Sequence, residues 1–139
     1  MVEKTPYFVE VTKDIPLHRF LGVELSGYGN GQGEVRIPVN ENIVNSSGAV
    51  HGGIYYVLCD IACTLAFSTA LDDKSFYVTH DINVSVLQAA FAGELIARAK
   101  CIKVGKRLGF VECRIWSSND ELLAVGRVTK TILPKPQTL

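Results

Sequence analysis

His51, Gly52 and Gly53 stand directly before a long apolar run, Ile54 to Leu71, that carries a single carboxylate, Asp60. The paired glycines read as a helix start whose backbone N–H groups are left bare. The first four N–H groups of a helix have no partner inside it, and the helix dipole adds partial positive charge there. Such an end attracts an anion or a polarised carbonyl oxygen. Asp60 is the complementary feature, because a carboxylate in apolar surroundings must be paired or take up a proton. A bare helix start and an acid on one helix form the chemical centre of the chain.

The helix that carries them is apolar on nearly every face. Ile54, Tyr55, Val57, Leu58, Ile61, Leu65 and Phe67 supply bulk, while Ala62, Ala66 and Ala70 allow close approach. Its length of about five turns favours helix over strand, and all-round hydrophobicity predicts a helix wrapped by a sheet. Around it, Pro16 to Leu21 reads as one turn of helix. Gly22 to Tyr28 and Glu34 to Val39 read as hairpin arms joined by the loop Gly29–Gly33. That glycine-rich loop lacks the Lys-Ser/Thr and the helix of a phosphate loop. Residues 40–50 form a polar loop.

Everything after the helix is strand-like: Ser75–Leu87, Ala92–Val104, Leu108–Trp116 and Leu122–Leu133, the last ended by Pro134 and Pro136. Alternation along the first of these puts Phe76, Val78, Ile82, Val84 and Val86 on one side and Thr79, Asp81, Asn83 and Ser85 on the other. Short connections predict an antiparallel meander of four strands. The expectation is an α+β architecture, a curved antiparallel sheet around one central helix.

The 139 residues fit one domain at 15–139, preceded by an N-terminal extension at 1–14. Fourteen basic and fourteen acidic side chains balance, so no net field draws in nucleic acid or an anionic membrane. The N-terminus lacks a signal-peptide pattern, and a cytoplasmic protein is the expectation. Cys59 and Cys63 share a helix face, but no second Cys pair or His pair completes a zinc set. The four cysteines therefore read as buried hydrophobes in a reducing compartment, with no metal. His18 is expected at the surface and His80 in packing.

Asn45, Gly48, His51-Gly52-Gly53 and Asp60 at this spacing, followed by the strand Thr79-His80-Asp81-Ile82-Asn83-Val84, resemble the hotdog fold. The resemblance runs from about Phe20 to Leu133 and is nearest to the phenylacetate-degradation thioesterases and their acyl-CoA thioesterase relatives. It implies hydrolysis of an acyl-CoA thioester without a separate cofactor, coenzyme A being part of the substrate. By position it implies that Asn45 lies at the thioester and His51 orients the loop and helix start. Gly52 offers its N–H to the thioester carbonyl oxygen, Asp60 acts as general base or nucleophile, and Thr79 assists from the strand. Gly53 and Tyr55 are expected to bind substrate. Tyr55, Leu58, Phe76 and Leu87 would line a pocket for an aryl ring or medium chain. Lys106 and Arg107 are the preferred pair for the coenzyme A phosphates, with Lys103, Arg98 and Lys100 nearby.

This chemistry carries a distance constraint. Gly52 and Asp60 are eight residues apart, about 12 Å along a helix axis. Oxyanion donor and base must each lie about 3 Å from the reacting atoms. One chain cannot bring both to one carbonyl, so the site combines Gly52 of one subunit with Asp60 of another. A homodimer paired through Ser75–Leu87 follows, with stacking into a homotetramer left open. A non-catalytic acyl-CoA binder and a hotdog hydratase or dehydratase are the alternatives.

Overall fold

The computed structural model describes residues 5–72 and 75–134; Pro136 lies outside them. The chain opens with α1 (Tyr7–Val11), a 3-10 turn at Thr12–Asp14 and α2 (Pro16–Leu21). Pro16 occupies the first turn of α2, and Gly22 ends it in the left-handed region at φ 70°. Phe8 and Val9 pack against the core, so the end of the expected extension lies on the rest of the chain. Histidine burial runs opposite to expectation: His18 is enclosed with Nδ1 2.6 Å from the Thr12 hydroxyl, whereas His80 is exposed.

β1 (Glu24–Gly29) and β2 (Gln32–Pro38) form the hairpin. Its turn is tighter than the expected five-residue loop, because Asn30 and Gly31 both take positive φ, at 52° and 75°. Two such residues in succession make the turn that matches the twist of paired strands. β3 (Phe76–Val86), β4 (Glu94–Val104), β5 (Leu108–Ser117) and β6 (Leu122–Leu133) complete one antiparallel sheet in the order β1-β2-β4-β5-β6-β3.

The meander expectation holds for β4 to β6 and fails for β3. That strand pairs with β6 at the far edge, and β2 takes its expected place beside β4. The seven-residue connection Leu87–Gly93 crosses three strand spacings. That is about 14 Å, within the roughly 23 Å that seven extended residues can reach.

The central helix α3 (Gly52–Ala70) lies in the curve of the sheet, with Leu58, Cys59, Ala62, Cys63, Leu65, Ala66 and Phe67 fully enclosed. By length and composition it would also suit a membrane span; here the sheet covers most of its apolar surface. The enclosure is incomplete, in contrast to the expected all-round burial. Gly53 and Tyr56 are exposed, and Asp60 and Thr64 partly so. Their spacing of three and four residues makes them one stripe along the helix.

A bulge at His80 reverses the parity of β3. Thr79 pairs with Lys130 and Asp81 with Thr129, leaving His80 as the extra residue. Tyr77, whose ring meets Phe67 edge-on at 5.0 Å, and Thr79 therefore face the helix together with Ile82 and Val84. The grouping of Thr79 with Asp81 and Asn83 is corrected by this extra residue.

Gly109 on β5 lies under the Phe67 ring, where an added Cβ would come within 2.1 Å of it. Gly109→Ala is expected to destabilise the fold by about 1–3 kcal/mol through overpacking. Gly27→Ala, whose Cβ would meet nothing closer than 4.0 Å, should leave the unfolding midpoint at or above the wild-type value. Thermal unfolding of the two variants checks the packing, and equal midpoints would contradict it.

Candidate active site

The loop before α3 is organised by Asn45. Its Oδ1 accepts from the Ser47 N–H at 3.0 Å, the Ser47 hydroxyl at 2.7 Å and the Ala49 N–H at 3.1 Å. Its own N–H donates to the Ala49 carbonyl at 2.7 Å. The acceptor capacity of the side chain is therefore filled, and its Nδ2 group remains as an outward donor. A donor can hold a carbonyl, sulfur or water oxygen, but it cannot take a proton from water.

His51 is the N-cap of α3. Its Nδ1 accepts from the Gly53 N–H at 2.9 Å, and its own N–H donates to the Ile43 carbonyl at 2.8 Å. A Cβ at position 53 would lie 3.2 Å from that Nδ1, so the cap needs glycine there. Gly53 therefore has its amide occupied by His51 and is not a free substrate donor. Gly52 is different: its N–H has no acceptor among the described residues, and its side-chain position opens onto space.

Asp60 lies two turns further along the same exposed stripe, its side chain 35% accessible. The Thr79 hydroxyl donates to Asp60 Oδ1 at 2.7 Å. Behind both stands Lys130 of β6, only 2% exposed, with Nζ 2.7 Å from Thr79 Oγ1, 2.6 Å from Thr64 Oγ1 and 3.6 Å from Asp60 Oδ1. The acid is thus neither isolated nor fully buried, unlike the carboxylate expected in apolar surroundings. Burial lowers the Lys130 pKa, and the neighbouring Asp60 opposes that shift. Burial also lowers His18 and pushes Tyr77 up to about 12.

Sequence reasoning assigned Lys130 no role. The signal was available in β6, where Ala124, Val128, Lys130 and Ile132 share the alternating positions that face the core. A lysine on the inward parity of a strand is the anomaly that marks it.

Asp60, Thr79 and Lys130 line a cleft of about 320 Å³ with Phe8, His18 and Tyr77. Tyr55 and Leu58 do not belong to this surface: both face the sheet, Tyr55 at 1% exposure and Leu58 at 0%. Tyr56 is the tyrosine that turns outward, donating its hydroxyl to the Val84 carbonyl at 3.2 Å. Steps of four from Gly52 lead to Tyr56 and then Asp60, whereas Tyr55 starts a different row.

Among the basic residues, Lys106 and Arg107 are exposed in the turn between β4 and β5. Arg98 is instead engaged by Glu34 at 2.9 Å, and that contact holds the Glu34 carboxyl down to about 2. The sheet also brings Cys113 to Cys59 and Cys63, with the three sulfurs within 4.8 Å of one another. No fourth His, Cys, Asp or Glu joins them among the described residues. Hydrogen bonding within the trio, together with burial, pushes the Cys63 and Cys113 thiols up.

A curved sheet around one helix, with a free helix-start N–H and a paired carboxylate on the uncovered face, defines a hotdog-fold hydrolase. Comparison with known proteins agrees. Residues 47–124, more than half of the chain, match the Thioesterase superfamily. The chain belongs to this superfamily, whose class of activity is thioester hydrolysis.

A candidate esterase of Halobacterium salinarum is 37% identical over 125 residues, covering 82% of each chain. The 1,4-dihydroxy-2-naphthoyl-CoA hydrolase of Listeria monocytogenes is 26% identical over 119 residues, 86% of this chain and 97% of that one. The crystal structure of a Haemophilus influenzae thioesterase superposes with a TM-score of 0.88 at 24% identity, covering 99% of this chain and 97% of that one, and establishes the fold.

The loop assignment separates two variants. Asn45→Asp keeps the three acceptor contacts and should unfold near the wild-type temperature. Asn45→Ala leaves those donors without their partner and should cost about 1–3 kcal/mol. Chemical denaturation of the pair measures the difference, and equal stability would remove Asn45 from its organising role.

Proposed function

We propose that the protein is an acyl-CoA thioesterase whose two active sites are each shared between two subunits. The observation that carries this reading is the pairing, on one exposed helix face, of the unoccupied Gly52 N–H with the Asp60 carboxylate held by Thr79. Their separation along α3, about 12 Å, keeps them from acting on one carbonyl within a single chain. The outer edge of β3 is unpaired, and Tyr56, Val78 and Val86 beside it are exposed. Edge-to-edge pairing of β3 with its symmetry mate would cover these groups and set each Asp60 opposite Gly52 of the second subunit.

In this reading Asp60 takes a proton from water, or attacks directly, at the thioester carbon. The carbonyl oxygen becomes an oxyanion that accepts from the Gly52 N–H, and collapse expels the coenzyme A thiolate. Attack by water leaves the carboxylic acid at once, whereas direct attack leaves an Asp60 acyl anhydride that a water then hydrolyses to the same acid. Asn45 Nδ2 donates to the thioester end, and His51 holds the helix start. The phosphates meet Lys106 and Arg107. The cleft beside Tyr77 and Phe8 suits an aryl or medium-chain acyl group, and the aryl-CoA specificity in the name of the Listeria relative supports the aryl choice.

Release of free thiol from a panel of acyl- and aryl-CoA esters is the direct assay. Asp60→Asn should lower turnover about 100-fold or more, and full activity in that variant would end the assignment. Binding of acyl-CoA without turnover by the wild-type protein would indicate a non-catalytic binder, and hydration of an enoyl-CoA a hydratase.

The shared site has its own test. Gly52→Pro removes the donor N–H at a helix position that tolerates proline, and should cost about 100- to 1,000-fold. Mixed with Asp60→Asn subunits, it should regain activity, because one site of each heterodimer is then wholly native. Subunit exchange confirmed by mass spectrometry without such recovery would refute sharing.

A further inference from the structure

We infer that Lys130 is a positioning residue for this reaction: through Thr79 it fixes Asp60 as a carboxylate with Oδ1 engaged and Oδ2 left as the reacting oxygen. This inference rests on the thioesterase reading of the site. An ammonium has three N–H donors and no acceptor, so both hydroxyls within 2.7 Å of Lys130 Nζ must accept from it. Thr79 has one proton to give, and with its oxygen facing the ammonium that proton points to Asp60 Oδ1, 2.7 Å away. The chain therefore has one direction, from Lys130 through Thr79 to Asp60. It terminates on Asp60 Oδ1 as the acceptor. Oδ2 has no hydrogen bond among the described residues and belongs to a side chain open to the cleft.

No neighbour supplies the same charge. The titratable groups around the pair are His18 from α2, Cys59 and Cys63 from α3, and Tyr77 from β3, whose ring centroid lies 5.7 Å from Lys130 Nζ. Burial lowers His18, which keeps its ring neutral near pH 7, and thiols and a phenol carry no positive charge in any state. Lys130 is the one standing cation at Asp60 among the described residues. Its side chain is also sealed from solvent, so it does not itself reach the substrate.

Burial lowers the Lys130 pKa, which gives the pH dependence a definite sign. As pH rises, Lys130 loses its proton below the usual lysine range, the hydrogen-bond chain loses its positive end and its fixed direction, and activity falls. The folded state holds this proton less tightly than the unfolded chain, so the group's contribution to stability increases with pH in that range. The alkaline loss of activity should therefore precede any unfolding.

The experiment compares Lys130→Met, Thr79→Val and the double variant in the intact protein, with kcat, KM and pH profiles for one CoA ester. Lys130→Met should lower kcat about 10- to 100-fold with little change in KM. It should also abolish the alkaline limb of the pH profile. Thr79→Val retains the ammonium but cuts the chain, and should lower kcat with KM little changed. The double variant should be no slower than the slower single, because both break one chain. Independent, multiplicative losses, or wild-type kcat in Thr79→Val, would overturn the inference even if Lys130→Met does not fold. Wild-type kinetics in Lys130→Met alongside an inactive Asp60→Asn would refute the role of Lys130 alone. An active Asp60→Asn would instead refute the thioesterase site beneath it.

Discussion

A single sheet cannot close around a helix that is apolar on every side. Six strands enclose the residues of α3 that face them and leave the stripe of Gly53, Tyr56, Asp60 and Thr64 uncovered. The same side of the molecule ends in β3, an edge strand with an unpaired outer ladder. An exposed ladder beside the exposed Tyr56, Val78 and Val86 favours association, because a second surface would bury both. Asp60 occupies the place where the covering is incomplete. A carboxylate would be costly against the sheet, yet at the rim it keeps access to water.

That rim position also explains how a lysine comes to be buried. Taking two charges out of water is costly, and removing one member of a buried pair typically costs about 3–5 kcal/mol. Here the burden is unequal, since Lys130 is enclosed while Asp60 remains about one-third open. Thr64 and Thr79 complete the ammonium's hydrogen bonds, and Tyr77 presents its ring to the charge. Such an arrangement gives little net stability compared with apolar packing. Its consequence lies in the fixed direction of its hydrogen bonds. The N-terminal helices contribute as well: Phe8 and His18 wall the cleft beside the acid, so a segment that looked peripheral shapes the surface around Asp60.

Much of this was legible before any coordinates. A glycine pair and a proline at a helix start act locally, so α2, α3 and the approximate strand positions followed from residue types, whereas the tight Asn30-Gly31 turn and α1 did not. The Gly52 N–H and Asp60 emerged from spacing on one helix, because helix geometry converts separation in sequence directly into distance. The family motif lay within that same short stretch. The Gly53 amide is occupied and Tyr55 is buried, in contrast to expectation, for an equally local reason. Which amide is occupied depends on the orientation of the His51 ring, and which tyrosine faces outward depends on where the sheet lies.

Sequence by itself therefore determined an α+β chain with a long central helix and an acid two turns from a bare helix start. Tertiary structure decided what surrounds that acid. The bulge at His80 turned Thr79 inward, and an extra residue in one strand becomes visible only against its partner's register. The ladder then set Lys130 beside Thr79, although Lys130 and Asp60 are 70 residues apart. No local pattern encodes such a pairing, because it arises when a whole sheet folds around one helix. The acid seen first on the helix in the sequence thus has a buried cation standing behind it.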